Sequence, residues 1–215
     1  MEFDVPKFNP HIAALPIHIC QKMGYDWILS DIIPQQLPRN TVLDFGANGY
    51  PFLPVLVGYG AAGWWCDRDR KCEPAMAKMA KQHNIALPEY KLGGPERFNI
   101  VVASNAIQHN QEGALEIYQR LRDALADGGR LYVVEALGHG KSWWNDKRAD
   151  PCWHRTLDDH AALWRGAALR LIRMGFFTYT YNADGAKEAA EWLSPVNGDL
   201  SQASRVCARL ERVAC

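Results

Sequence analysis

Thr41-Val42-Leu43-Asp44-Phe45-Gly46-Ala47-Asn48-Gly49 is the stretch that decides the fold. A short apolar run ends in an acid, and a turn containing two glycines follows. A second apolar run, Trp64-Trp65-Cys66, ends in Asp67, 23 residues beyond Asp44. Between the two runs, Pro51 and Pro54 fit the first turn of a helix and nowhere deeper. Gly60-Ala61-Ala62-Gly63 closes that helix. Strand, glycine turn, helix and acid-ended strand together spell a βαβ unit built around a ligand. Glycines let the backbone come close to it, and an acid about 20 residues on suits ribose hydroxyls.

The same alternation continues outward. Pro6, Pro10 and Pro16 mark residues 1–16 as an irregular arm. Ile17, Cys20, Trp27, Ile28 and Ile32 recur at helical spacing until Pro34 and Pro38 end the segment. Beyond Asp67, a helix is expected over Glu73 to Gln82 and a weak strand over Glu89 to Leu92. Phe98 to Ala103 (FNIVVA) is unbroken and β-branched, which predicts a strand buried on both faces. Leu115, Tyr118, Leu121 and Leu125 form one stripe of a helix over Glu112 to Ala126, stopped by Asp127-Gly128-Gly129. Arg130 to Glu135 is the next strand. Thr156, with Asp159 three residues on, predicts a capped helix start. That helix is expected to run to about Met174 and to end at Gly175. Phe176 to Tyr181 reads as a strand, and Ser204 to Val213 as a final one. Alternating strands and helices with buried strands predict an α/β, doubly wound sheet, with ligands at the carboxyl ends of the strands.

Composition narrows the function classes. A chain of 215 residues suits one α/β domain with a small lid. Hydrophobic residues make up 48%, which excludes a disordered chain. Lys+Arg and Asp+Glu are both 24, so no basic face is forced and strong non-specific nucleic-acid binding is not expected. The six cysteines form no C-x-x-C spacing, so no metal site is expected. They read as free thiols of a cytoplasmic protein, most of them small buried hydrophobes. No basic-then-apolar leader opens the chain, and its longest apolar stretch is too broken for a membrane span.

Taken in order, these segments resemble the class I, Rossmann-like S-adenosylmethionine-dependent methyltransferases over most of residues 41–181. Val42-Leu43-Asp44-Phe45-Gly46 is similar to the family's first motif. Asp67 is similar to its ribose-binding acid. Residues 98–109, FNIVVASNAIQH, are similar to its fourth motif, with Asn99 where an aspartate is common. Leu125-Ala126-Asp127-Gly128-Gly129-Arg130-Leu131 is similar to the segment that leads into its fifth strand. The resemblance implies a mostly parallel, seven-stranded sheet with helices on both faces. It implies residues 1–40 as an arm and helix on the substrate side. Residues 41–215 would form the cofactor-binding domain, with a substrate-side insert at 138–155.

It also implies S-adenosylmethionine as cofactor. Asp44 would hydrogen-bond, directly or through water, near the ligand ammonium; Gly46, Ala47, Asn48 and Gly49 would line the glycine turn, and Asp67 and Arg68 the ribose side. Ser104 and Asn105 would face the methionine moiety and the transferable methyl. Asn48 and Tyr50 stand where the family has glycines. Lys91-Leu92-Gly93-Gly94-Pro95 offers no acid for the adenine, which backbone groups would then read. The incomplete G-x-G-x-x-G pattern disfavours a dinucleotide.

The implied reaction is methyl transfer to a small-molecule acceptor. His109, Glu135, His139 and His154 are the candidates for proton transfer, because they follow the strands whose ends face the methyl. Each also has a plainer reading as a surface or packing residue, and Asn105 as a helix cap. Trp143, Trp144 and Trp153 fit either a packed loop or a pocket for a flat or cationic substrate. Arg68, Arg70, Lys71, Lys78 and Lys81 leave a nucleic-acid acceptor open, although such a run is more often a solvated helix face. A binding subunit without catalysis is the third alternative. The acceptor and the oligomeric state are not legible.

Overall fold

The structure is a computed structural model; it describes residues 8–15, 17–32, 34–47, 52–68, 72–84, 86–110, 113–145, 151–181, 188–193 and 200–213. Seven strands form one sheet: β1 (Thr41–Phe45), β2 (Ala62–Cys66), β3 (Phe98–Ser104), β4 (Leu125–Ala136), β7 (Leu169–Tyr181), β8 (Glu188–Leu193) and β9 (Arg205–Arg212). Their order is β2-β1-β3-β4-β9-β7-β8. The pairs β1–β2, β1–β3 and β3–β4 are parallel, whereas β9 runs antiparallel to both β4 and β7, and β8 antiparallel to β7. Five strands therefore point one way, and the sheet is mostly parallel, as expected.

The strands alternate their side chains between two apolar layers. Val42, Ile100, Val102, Tyr132, Val134 and Phe177 face one layer, covered by α2 (Ile19–Asp31), α3 (Leu53–Gly58) and α4 (Glu73–His83). Leu43, Val101, Ala103, Leu131, Val133 and Leu210 face the other, covered by α5 (Ala114–Asp123) and α6 (Leu157–Gly166). This is why FNIVVA carries no polar face. Asn99 within it serves register: its Oδ1 accepts from the Thr41 amide and from the Thr41 hydroxyl, both at 3.0 Å, which ties the start of β1 to β3.

Four expectations need correction. Residues 89–92 give a single bridge from Glu89 to Trp65, not a strand. The seventh strand is instead β8, at the opposite edge. Asp127-Gly128-Gly129 does not stop α5, which has already ended at Asp123; it lies inside β4, where the register with β3 shifts between Phe98 and Ile100. A side chain at Gly129 would meet the Ala126 and Phe98 carbonyls at 2.8 Å, so the bulge requires this glycine. The helix that starts at Thr156 ends at Gly166, and β7 begins at Leu169, with Ala168 turning the chain at φ +53°. Gly175 is thus a strand residue, and a Cβ there would lie 2.6 Å from the Trp27 indole nitrogen of α2.

The 138–155 insert contains a small ribbon of its own. There β5 (Trp143–Asn145) pairs antiparallel with β6 (Cys152–His154). A one-turn helix, α1 (Pro10–Ala13), precedes α2 in the arm.

Candidate functional site

Asp44, Asp67 and Ser104 come from the carboxyl ends of three adjacent parallel strands. Phe45 pairs with Cys66 on one side and Ala103 on the other, so Gly46, Asp67 and Ser104 emerge side by side. The Gly46 amide donates to the Cys66 carbonyl at 2.7 Å, which carries the pairing one residue past β1. Gly46 has φ +69°, and a Cβ on it would lie 2.3 Å from that of Ala106. Only glycine allows the turn and this approach together. Ala47 is buried beside it, and Arg68 beyond Asp67 is exposed. Asn48 and Gly49 lie outside the described residues.

Asp44 is 3% exposed. Its Oδ2 accepts from the Phe52 amide at 2.8 Å and the Leu53 amide at 3.0 Å, the first N–H groups of α3. It therefore spans the glycine turn and fixes the helix behind it. Burial pushes its carboxyl up to about 6; the two amides oppose the rise, and Asp67 adds to it.

Asn105 follows β3 at φ +53°, a conformation that asparagine tolerates. Its amide donates to the Val134 carbonyl at 2.7 Å and its Nδ2 to Ser104 Oγ at 3.3 Å. Its Oδ1 is buried without a hydrogen-bond partner. A buried acceptor of this kind is open to a donor from water or a ligand.

The turn after Asn105 is fastened to β4 by side chains that sequence reasoning partly missed. Glu135, fully buried, accepts from the Ile107 amide at 3.1 Å. Gln108 Oε1 accepts from the Ala136 amide at 2.8 Å. Gln108 Nε2 lies 3.3 Å from His109 Nε2, and His109 Nδ1 lies 2.8 Å from the Pro151 carbonyl. A ring nitrogen that faces a carbonyl must carry the proton, so neutral His109 has its lone pair on Nε2. His160 braces the same strand end, with Nε2 at 3.1 Å from the Ala136 carbonyl; burial pushes it down to about 4. Burial pushes Glu135 up to about 7, against the opposing charge of Arg155.

The other two proton-transfer candidates lie on the insert. His139 is exposed in the turn after β4. His154 stacks on Trp143 with ring centroids 4.4 Å apart, and its Nε2 is 3.6 Å from Cys152 Sγ. Trp144 and Trp153 pair across the ribbon at 5.7 Å. Of the five tryptophans singled out from the sequence, Trp65 is buried and Trp64 packs edge-on to Phe98, whereas Trp143 is 42% exposed. Cys66 and Cys72 are pushed up to about 11 and about 12 by burial, so neither thiol is a ready nucleophile. Nothing in the sequence marked Gln108 or His160, because their partners lie more than 20 residues away on a strand end.

The architecture is similar to that of S-adenosylmethionine-dependent methyltransferases of known structure. No protein-family model and no curated protein matches the sequence. Solved structures match its fold. The Burkholderia thailandensis 1,6-didemethyltoxoflavin-N1-methyltransferase, with bound 1,6-didemethyltoxoflavin and S-adenosylhomocysteine, is 14% identical. The match covers 99% of this chain and 94% of that one at a TM-score of 0.62. An S-adenosylmethionine-dependent methyltransferase from Clostridium acetobutylicum is 9% identical over 90% and 92% of the two chains, with a TM-score of 0.62. The glycopeptide N-methyltransferase MtfA, complexed with S-adenosylmethionine, is 11% identical over 88% and 86%, with a TM-score of 0.59.

Proposed function

We propose that the protein is an S-adenosylmethionine-dependent methyltransferase, on a doubly wound class I scaffold, that acts on a small-molecule acceptor. The observation that carries this reading is the row Gly46, Asp67 and Ser104-Asn105 at adjacent strand ends, with Asn105 Oδ1 buried and unpartnered. The similar structures that hold S-adenosylmethionine or S-adenosylhomocysteine support the cofactor, and the one with bound didemethyltoxoflavin supports a small acceptor.

The residues fit the cofactor. Asp67 accepts the two ribose hydroxyls in charge-assisted hydrogen bonds. Gly46 and Ala47 bring backbone against the methionyl chain, and Arg68 stands next to Asp67 on the ribose side. Asn105 Oδ1 accepts from the ammonium group, and Ser104 flanks it. Asp44 keeps α3 and the turn in register, and its carboxylate adds negative potential near the same ammonium. The cofactor supplies an electrophilic sulfonium methyl.

The chain's task is to align the acceptor with that methyl and to keep water out. Glu135 and Gln108 hold residues 105–109 in place for this. Where the acceptor must lose a proton, His109 Nε2 is the basic position once Gln108 Nε2 gives it up, because Nδ1 is committed to Pro151. His139 and His154 would act only from the insert, and Glu135 only from a fully buried position in which one oxygen holds the Ile107 amide. The net charge of zero favours a small acceptor over RNA or DNA.

A crystal structure with S-adenosylhomocysteine tests the assignment. The amino group is expected within hydrogen-bonding distance of Asn105 Oδ1, and the ribose hydroxyls on Asp67. A ligand seated away from these strand ends would overturn it.

A further inference from the structure

Arg155 follows β6 and is 8% exposed. Its Nη2 donates to the Asn110 carbonyl at 3.2 Å. Among the described residues its other N–H groups meet no hydrogen-bond acceptor, and no carboxylate lies within ion-pair distance. The buried Glu135 carboxyl acts on this guanidinium only at longer range than an ion pair, so most of its hydrogen-bonding capacity stays open to a ligand.

What it faces is a cavity of about 590 Å³, a size that suits a small molecule. Trp153, Leu115 and Leu163 give this cavity apolar walls. The Arg155 guanidinium carbon lies 5.8 Å from the centroid of the Trp153 ring. Helix α5 opens onto the cavity at Gly113 without a side-chain cap, so its first amides add positive potential. Asp159 also lines it, but Ser142 and Thr156 hydroxyls both bond its Oδ2 and the residue is exposed, where solvent screens its charge.

We propose that this cavity is a binding site for a small aromatic carboxylate, held by a salt bridge to Arg155, with its ring between Trp153, Leu115 and Leu163. Planar guanidinium and carboxylate match in two parallel hydrogen bonds. The site is set apart from the row at Asp44, Asp67 and Asn105 by the turn at 107–110, which Arg155 itself bonds. It does not depend on the methyltransferase reading.

Calorimetry with indole-3-carboxylate and its neutral analogue indole-3-carboxamide tests the site, each with and without S-adenosylhomocysteine. The carboxylate is expected to bind one to one, with or without S-adenosylhomocysteine, and about tenfold or more tighter than the amide, the scale of one charge-assisted hydrogen bond. Arg155→Gln should remove that preference. Ala162→Trp, on the exposed side of α6 that lines the cavity, fills the space without touching Arg155 and should abolish binding while the thermal melt stays cooperative. Should Arg155→Gln fail to fold, Ala162→Trp decides the question. No saturable heat at millimolar carboxylate, equal binding of the amide, or unchanged binding in Ala162→Trp would overturn the proposal.

Discussion

Gly46 shows how tightly a single residue can be specified. Its positive φ and the 2.3 Å approach of a hypothetical Cβ to Ala106 act together. Gly46→Ala is expected to cost about 2 kcal/mol or more in denaturant unfolding and to weaken cofactor binding, because it separates the first turn from the 105–109 turn. Glu135 shows the opposite case, a residue whose role only the fold reveals. Its carboxyl ionises near 4.5 in the unfolded chain and about 7 in the folded one, so the folded state binds the extra proton between those values. This group's contribution is complete below about 4.5 and is lost as pH rises through 7. Glu135→Gln, which stays neutral, should therefore gain on the wild type over that window, by on the order of 3 kcal/mol at the alkaline end. Paired melts across pH measure the difference and cancel the opposite trend from His160, whose depressed value makes stability rise between about 4 and 6.5. The placement of Asp44, Gly46 and Asp67 at adjacent strand ends was legible because motif and spacing are local. Gln108 and Arg155 were not, because each acts on backbone far away in sequence.

At the scale of elements, the start of α6 was read correctly and its end was not. Thr156 accepts from the Asp159 amide at 3.2 Å, and its own amide donates to Ser142 Oγ at 2.8 Å. The cap thus ties the helix to the insert as well. Thr156→Ala is expected to lower stability by about 1 kcal/mol in thermal or denaturant unfolding and to loosen the ribbon at β5 and β6. Caps are chemical and show in sequence. The end of α6 depends on Ala168 adopting a left-handed turn, for which the sequence carries no glycine. Gly175, which looked like a helix stop, is small because Trp27 packs over β7. The glycines at 128 and 129 misled in the same way: a bulge in a long strand and a helix stop use the same residues. The apolar run of β3 left no such choice.

For the whole molecule, one clamp holds the amino-terminal segment on the sheet. Asp31, at the end of α2, accepts from Tyr132 Oη at 2.7 Å, Arg173 at 3.0 Å and Arg209 at 3.2 Å, reaching β4, β7 and β9. These partners hold its carboxyl below the usual range despite burial. Helix α2 is therefore tied to the sheet through its last turn. Among the described residues no helix is long and apolar enough to cross a membrane. Under the proposed function, sheet, two apolar layers and strand-end row serve one arrangement, the presentation of Gly46, Asp67 and Asn105 to a single ligand. The most direct measurement of that claim is calorimetric titration with S-adenosylmethionine, on the wild type and on Asp67→Ala. One-to-one binding by the wild type, weakened tenfold or more in the variant, is predicted, about the value of charge-assisted hydrogen bonds to the ribose. No heat at millimolar S-adenosylmethionine, or wild-type affinity in Asp67→Ala, would contradict it.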